Sequence, residues 1–196
     1  MLLSQASPEA TRNAVLDRLI PEYDIIERHQ IHVEAPAAAT FDAACNLDLQ
    51  ESAIIRAIVR GRELMLGATR GSAERSKGLL VDAQAMGWGM LAHDPGREIV
   101  MGAVTKPWEP NVTFHALEPD AFAAFHEPGY VKIAWTLRAD PDGTRSIARS
   151  ETRAIATDPD ARRRFRRYWR RVWPGVVLIR LILLRLVKRD AERRVR

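Results

Sequence analysis

Hydrophobic positions are spaced most regularly in the last 39 residues of the chain, Asp158 to Arg196. Phe165, Trp169, Val172, Val176, Ile179, Leu183 and Leu186 recur there at steps of three and four. That spacing lines one side of a helix. Asp158 can cap its N-terminus, Pro159 fits the first turn, and Asp160 suits the positive end of the dipole. An apolar stripe of this length needs a cover. Pro174 interrupts it by removing a backbone hydrogen bond and clashing one turn back, so a kink or a break is predicted.

Upstream, the period is mostly two. Tyr23 to Val33 alternates, and the face carrying Tyr23, Ile25, Glu27, His29, Ile31 and Val33 is the more apolar. Turning it inward places Glu27 and His29 on an oily surface. Short helices are predicted over Pro36 to Leu47 and Ser52 to Arg60, then a loop from Gly61 to Gly78. Gln84 to His93 and Arg97 to Val104 read as a hairpin about Asp94-Pro95-Gly96. Val112 to Leu117 reads as a further strand, and Pro119 to Phe125 as one or two helical turns.

Tyr130 to Ala139 has the cleanest alternation, with Val131, Ile133, Trp135, Leu137 and Ala139 on one side. Asp140-Pro141-Asp142-Gly143 turns the chain. Thr144 to Thr157 returns with Ser, Ala and Thr on one face and Arg149, Glu151 and Arg153 on the other. The small face suits a closely packed helix. The charged face is expected to form an exposed ladder with Lys132 and Arg138; were it instead the cavity side, Arg149, Glu151 and Arg153 would make an anionic-ligand site. Ser7 to Ile20 reads as a short helix stopped by Pro21. Residues 1–22 are therefore an N-terminal helical appendage, and 23–196 one domain.

Charge changes the picture at one end only. Of the net +5, the segment from Asp158 onward carries +10 and the preceding residues −5. A nucleic-acid or anionic-membrane partner is thus a question about one helix. The single cysteine, Cys45, permits no internal disulfide and fits a reducing compartment. The N-terminus lacks the basic and apolar regions of a secretory signal. Val176 to Val187 is too short, and too interrupted by Arg180, to span a bilayer. A cytoplasmic protein, peripheral to a membrane if it touches one, is expected.

The order of elements, α+β, resembles the helix-grip fold of the START, birch-pollen-allergen and polyketide-cyclase superfamily (SRPBCC). The resemblance is carried by Arg28-His29-Gln30-Ile31-His32-Val33-Glu34-Ala35-Pro36, by Gly129-Tyr130 through Trp135, and by Gly143-Thr144-Arg145. Ser150-Glu151-Thr152-Arg153 leading to Asp158-Pro159, with Arg163, Phe165, Tyr168 and Trp169, completes it. It implies a curved antiparallel sheet wrapped around the terminal helix, two short helices after the first strand, and a cavity for an apolar ligand.

The expected function is binding, or binding and transport, of a hydrophobic small molecule or lipid in that cavity. His29, Trp88, Met90, Met101, Tyr130, Trp135, Trp169 and Val172 are its candidate lining. A filled core is the competing reading of the same residues. A second possibility is a cyclase- or dehydratase-like enzyme on a polyketide-type substrate, with His29 as base oriented by Glu27. A third is an interaction module at an anionic membrane surface through Arg163, Arg166, Arg167, Arg170 and Arg171; nucleic acid ranks below it. No metal-ligand spacing, phosphate loop or nucleophile motif is present, and no cofactor is expected.

Overall fold

The computed structural model describes residues 13–48, 52–67 and 78–195, without the side chains at 62 and 63. The predicted helix starting at Ser7 therefore lies outside the described residues up to Asn13. The elements run α1 (Ala14–Leu19), β1 (Ile25–Val33), α2 (Ala37–Cys45), α3 (Ala53–Leu66), α4 (Leu79–Ala85), β2 (Gly89–Asp94) and β3 (Glu98–Thr105). They continue β4 (Phe114–His115), α5 (Pro119–Ala124), β5 (Val131–Asp142), β6 (Arg145–Ala156) and α6 (Pro159–Arg194).

The six strands form one antiparallel sheet in the order β1-β6-β5-β3-β2, with β4 also paired to β3. The long helix α6 packs on one face. Leu183, Leu184, Val187 and Ala191 of α6 share a buried cluster with Ile99, Met101, Trp135, Leu137 and Ala148 of the strands and Phe41, Ala43 and Ala44 of α2. Nearer the N-terminus of α6, Ala161 and Phe165 pack on Val131, Ala154 and Ala156. The small residues of β6 let the helix lie close, as their pattern predicts. This is the helix-grip arrangement.

Four expectations are corrected. The helix α3 continues to Leu66, into the stretch expected to be loop, because Glu63, Leu64, Met65 and Leu66 are good helix formers once Gly61 is tolerated. The strand expected from Gln84 begins only at Gly89; Leu79–Ala85 is helical, and Gly87, at φ +97, turns the chain. Of the kink or break predicted at Pro174, the break does not occur: the residue lies inside one element of 36 residues. There α3 abuts the helix: a Cβ at Gly175 would come within 2.9 Å of Ile58 Cγ2, so glycine permits the close approach.

The fourth correction is the charged face of β6. It is not an exposed ladder: Lys132, Glu151 and Arg153 are buried. Helices α1 and α5 cover part of this outer face. Leu16, Leu19 and Ile20 of the α1 region and Phe122 of α5 pack on Val100, Val104 and Ala134. Asn13 caps α1 by accepting from Leu16 N. Arg153 reaches Asp17 of α1 at 2.7 Å and donates to Ile20 O at 3.1 Å, so a charge network fastens the helix down.

Candidate ligand site between the sheet and the terminal helix

Strand register sets the geometry. Met101, Trp135, Thr152 and Glu27 form one row across β3, β5, β6 and β1; Ile99, Leu137, Ser150 and His29 form the next. Both rows lie on the face that α6 covers. From α6, Trp173 donates its indole N–H to Glu27 Oε1 at 2.7 Å. Arg180 donates to Thr152 Oγ1 at 3.2 Å, and its guanidinium lies 5.6 Å from the centre of the Trp135 ring. Trp88 meets Trp135 edge-on at 6.0 Å and stacks on Phe114 at 4.7 Å.

The polar groups here are incompletely paired. His29 Nε2 is 3.6 Å from Glu27 Oε2, an ion-pair distance too long for a hydrogen bond. Among the described residues neither His29 Nε2 nor Ser150 Oγ, both buried, has a hydrogen-bond partner. Burial lowers the pKa of His29, and the charge of Arg180 adds to this against the opposing pull of Glu27. The imidazole is therefore biased toward its neutral form. Burial pushes Arg180 down to about 10, which leaves it charged at neutral pH. No carboxylate among the described residues pairs with it.

Beneath Leu184 and Val187, against Thr40, Phe41, Ala44 and Leu137, a cavity of about 10 Å³ remains. That is room for about one water. Toward Trp173, Glu27 and His29 retain some solvent access.

Of the residues singled out from the sequence, His29, Glu27, Met101, Trp135 and Trp88 come together. Met90 is 40% exposed on the edge strand β2. Trp169 packs with Phe165, Trp108 and Ile133 nearer the start of α6, and Val172 is partly buried on that helix. Tyr130 sits elsewhere, against Phe125 and His115 and under Lys106. Arg163, Arg166, Arg167, Arg170 and Arg171 are exposed; Arg163 pairs with Asp160, and Arg166 with Asp24 at 3.5 Å. Arg180 is missing from the residues expected at the site, although its signal is present: of the two arginines in the apolar run Val176 to Val187 it is the one in phase with the inward stripe, four residues after Val176 and seven before Val187. Among the described residues no three His, Cys, Asp or Glu side chains group as a metal site.

No family model and no curated protein matches the chain. Among solved structures, Ara h 8.0201 is 12% identical, with TM-score 0.30, covering 85% of this chain and 97% of that one. TTHA0849 from Thermus thermophilus is 10% identical, with TM-score 0.31, again covering 85% of this chain and 97% of that one. The Zhui aromatase/cyclase from Streptomyces sp. R1128 is 15% identical, with TM-score 0.29, covering 88% and 96%. Likeness at this level says nothing about a ligand.

Proposed function

We propose that the chain binds an amphipathic small molecule carrying an anionic or strongly accepting end. The apolar part would lie on Trp88, Met101 and Trp135, and the polar end would meet Arg180, Ser150 and His29. One observation carries the reading: a half-buried guanidinium with no carboxylate partner among the described residues stands in a polar patch that also holds two buried, unpaired polar atoms. Buried polar groups are nearly always hydrogen-bonded, and leaving one unpaired costs stability. A ligand head would complete the set. The neutral imidazole is a sound partner for such a head and, next to Glu27, also has the form of a general base, so turnover of the ligand fits the same groups.

The test is titration with anilinonaphthalene sulfonate, an aromatic anion, followed by its own fluorescence and by tryptophan quenching. Saturable binding is expected, weakened at least about tenfold by Arg180→Met through loss of a charge-assisted contact. Equal affinity of the two proteins would end the proposal.

A second reading is favoured by the outward side of α6. Arg167, Arg170, Arg171, Arg185 and Arg189 are exposed there, and Trp173, Leu178 and Leu181 stand exposed among them. The adjoining α3 exposes Ile54, Val59, Leu64 and Met65. Basic residues bracketing apolar ones suit an anionic lipid surface, with the helix lying in the interface. No helix among the described residues is long and apolar enough to cross a membrane. Flotation with vesicles of equal parts phosphatidylcholine and phosphatidylglycerol tests this. Binding lost on changing Arg167, Arg170 and Arg171 to Gln is expected; no binding at low salt would exclude it.

A further inference from the structure

On the opposite face of the sheet lies a larger cavity, of about 260 Å³. Its wall includes Arg28, Gln30, Thr136, Arg138, Arg149 and Glu151. Again the register explains it. Gln30, Arg149, Arg138 and Glu98 form one row across four strands, and Arg28, Glu151, Thr136 and Val100 the next. Arg149 and Arg138 are thus direct cross-strand partners, an arrangement of like charges that ordinarily destabilises a sheet.

One carboxylate oxygen, Asp140 Oδ2, holds both: it accepts from Arg149 Nε at 2.7 Å and from Arg138 Nη2 at 2.9 Å. Arg149 also donates to Gln30 Oε1. Arg28 donates to both oxygens of Glu151, at 2.9 and 3.3 Å, while Arg153 holds Glu151 from the far side at 2.7 Å. Asp140 and Glu98 lie outside the cavity wall, which presents three guanidiniums and a single carboxylate. Arg138 and Arg149 are mostly buried and fixed at their places; Arg28, 40% exposed, stands freer.

We propose that this outer cavity is a second binding site, taking a small, multiply charged oxyanion such as a phosphate ester or a polycarboxylate. Arginine forks match the paired oxygens of either group, and two are held in advance by Asp140 and Gln30, so little order is lost on binding. The volume falls just under the usual range for small-molecule sites, about 300–1,000 Å³, which fits a compact metabolite and not a lipid. His29 and Ser150 also line this cavity, but the register turns their side chains to the grip face, so the three guanidiniums lie across the sheet from Arg180 and are tested apart from it.

Calorimetric titrations with inorganic phosphate and with citrate, at ionic strength matched by sodium chloride, test it. Saturable binding of at least one is expected, and whichever binds tighter identifies the headgroup class. Arg149→Gln should weaken it by at least about tenfold and Arg28→Gln by about threefold, while Arg180→Met leaves it unchanged. Should Arg149→Gln fail to fold, the exposed Arg28→Gln decides. No saturation by either anion up to about 10 mM, or affinities unmoved by Arg28→Gln and Arg149→Gln, would overturn the proposal.

Discussion

Two arginines, one on each face of the sheet, are withdrawn from solvent, Arg153 fully and Arg180 in part, and their surroundings differ completely. Arg153, on the outer face and 1% exposed, donates to Glu151, Asp17 and the carbonyl of Ile20. Arg180, on the grip face, has one hydroxyl and the face of one indole among the described residues. The outer face has closed its charges into a network that ties α1 to β6. The grip face has left polar groups open. Enclosure of a charge therefore does not mark a site. Incomplete pairing does, because a group that serves only stability is paired during folding.

The largest effect that bears on this contrast is Arg153→Met. It strands Glu151 and Asp17 without their shared cation and unfastens α1. Breaking a buried pair in this way costs about 3–5 kcal/mol. Urea denaturation should report a loss of that order, with early exposure of the α1 region to proteolysis. A loss under about 1 kcal/mol would show that the network is not what holds the outer face, and the comparison would fail.

Arg180→Met should do the reverse. Methionine fits the apolar stripe, and the change removes a half-buried charge compensated, among the described residues, by one hydrogen bond and one aromatic contact. Stability should hold or rise by about 1 kcal/mol, while binding of the aromatic anion falls. A loss of stability as large as that for Arg153→Met would mean that Arg180 is structural, and the site would lose its central cation.

Much of this contrast lies beyond what the sequence can carry. The grip is legible because small residues on β6, an apolar face on β5 and a stripe on α6 repeat at the periods of strand and helix. The row that joins Met101 and Trp135 to Glu27 is not, since it depends on register between strands far apart in the chain. The outer face misleads for a related reason. Alternating Arg149, Glu151 and Arg153 has the pattern of a solvated surface, and nothing local shows that α1 will cover it. Tyr130 reads as a ligand contact at the start of the cleanest alternation, yet it packs on the side where α5 lies. Conversely, Arg180 reads in the sequence only as an obstacle to membrane spanning, although its phase on α6 places it among the inward residues.

His29 gives a pH dependence that sharpens the same contrast. Its pKa in the folded state lies below the ordinary 6.5, so the unfolded chain takes up the proton more readily. The associated stability is present above 6.5 and is lost as pH falls through the folded-state value. His29→Gln should remove this component, giving a shallower decline of melting temperature between about pH 6.5 and pH 5. An anion bound beside the ring would favour the imidazolium, so saturating ligand should also flatten the decline. Identical profiles for the variant and the parent chain would show that the ring titrates freely and is not held in a polar pocket.

The smallest expected effect isolates pairing from burial. Ser150 and Thr136 are equally enclosed, each 2% exposed, and stand on adjacent strands with their side chains on opposite faces. Thr136 Oγ1 accepts from Glu151 N at 3.3 Å, whereas Ser150 Oγ has no partner among the described residues. Thr136→Val should cost about 1 kcal/mol, since it removes an acceptor and strands a donor. Ser150→Ala removes a hydroxyl that already lacks a partner, so stability should stay level or rise by up to about 1 kcal/mol. It should nonetheless weaken binding of the aromatic anion by a few-fold, because the same hydroxyl is placed to meet the ligand head. If the two substitutions cost the same and neither alters binding, Ser150 is an ordinary core residue and the polar patch on the grip face shrinks to His29 and Arg180.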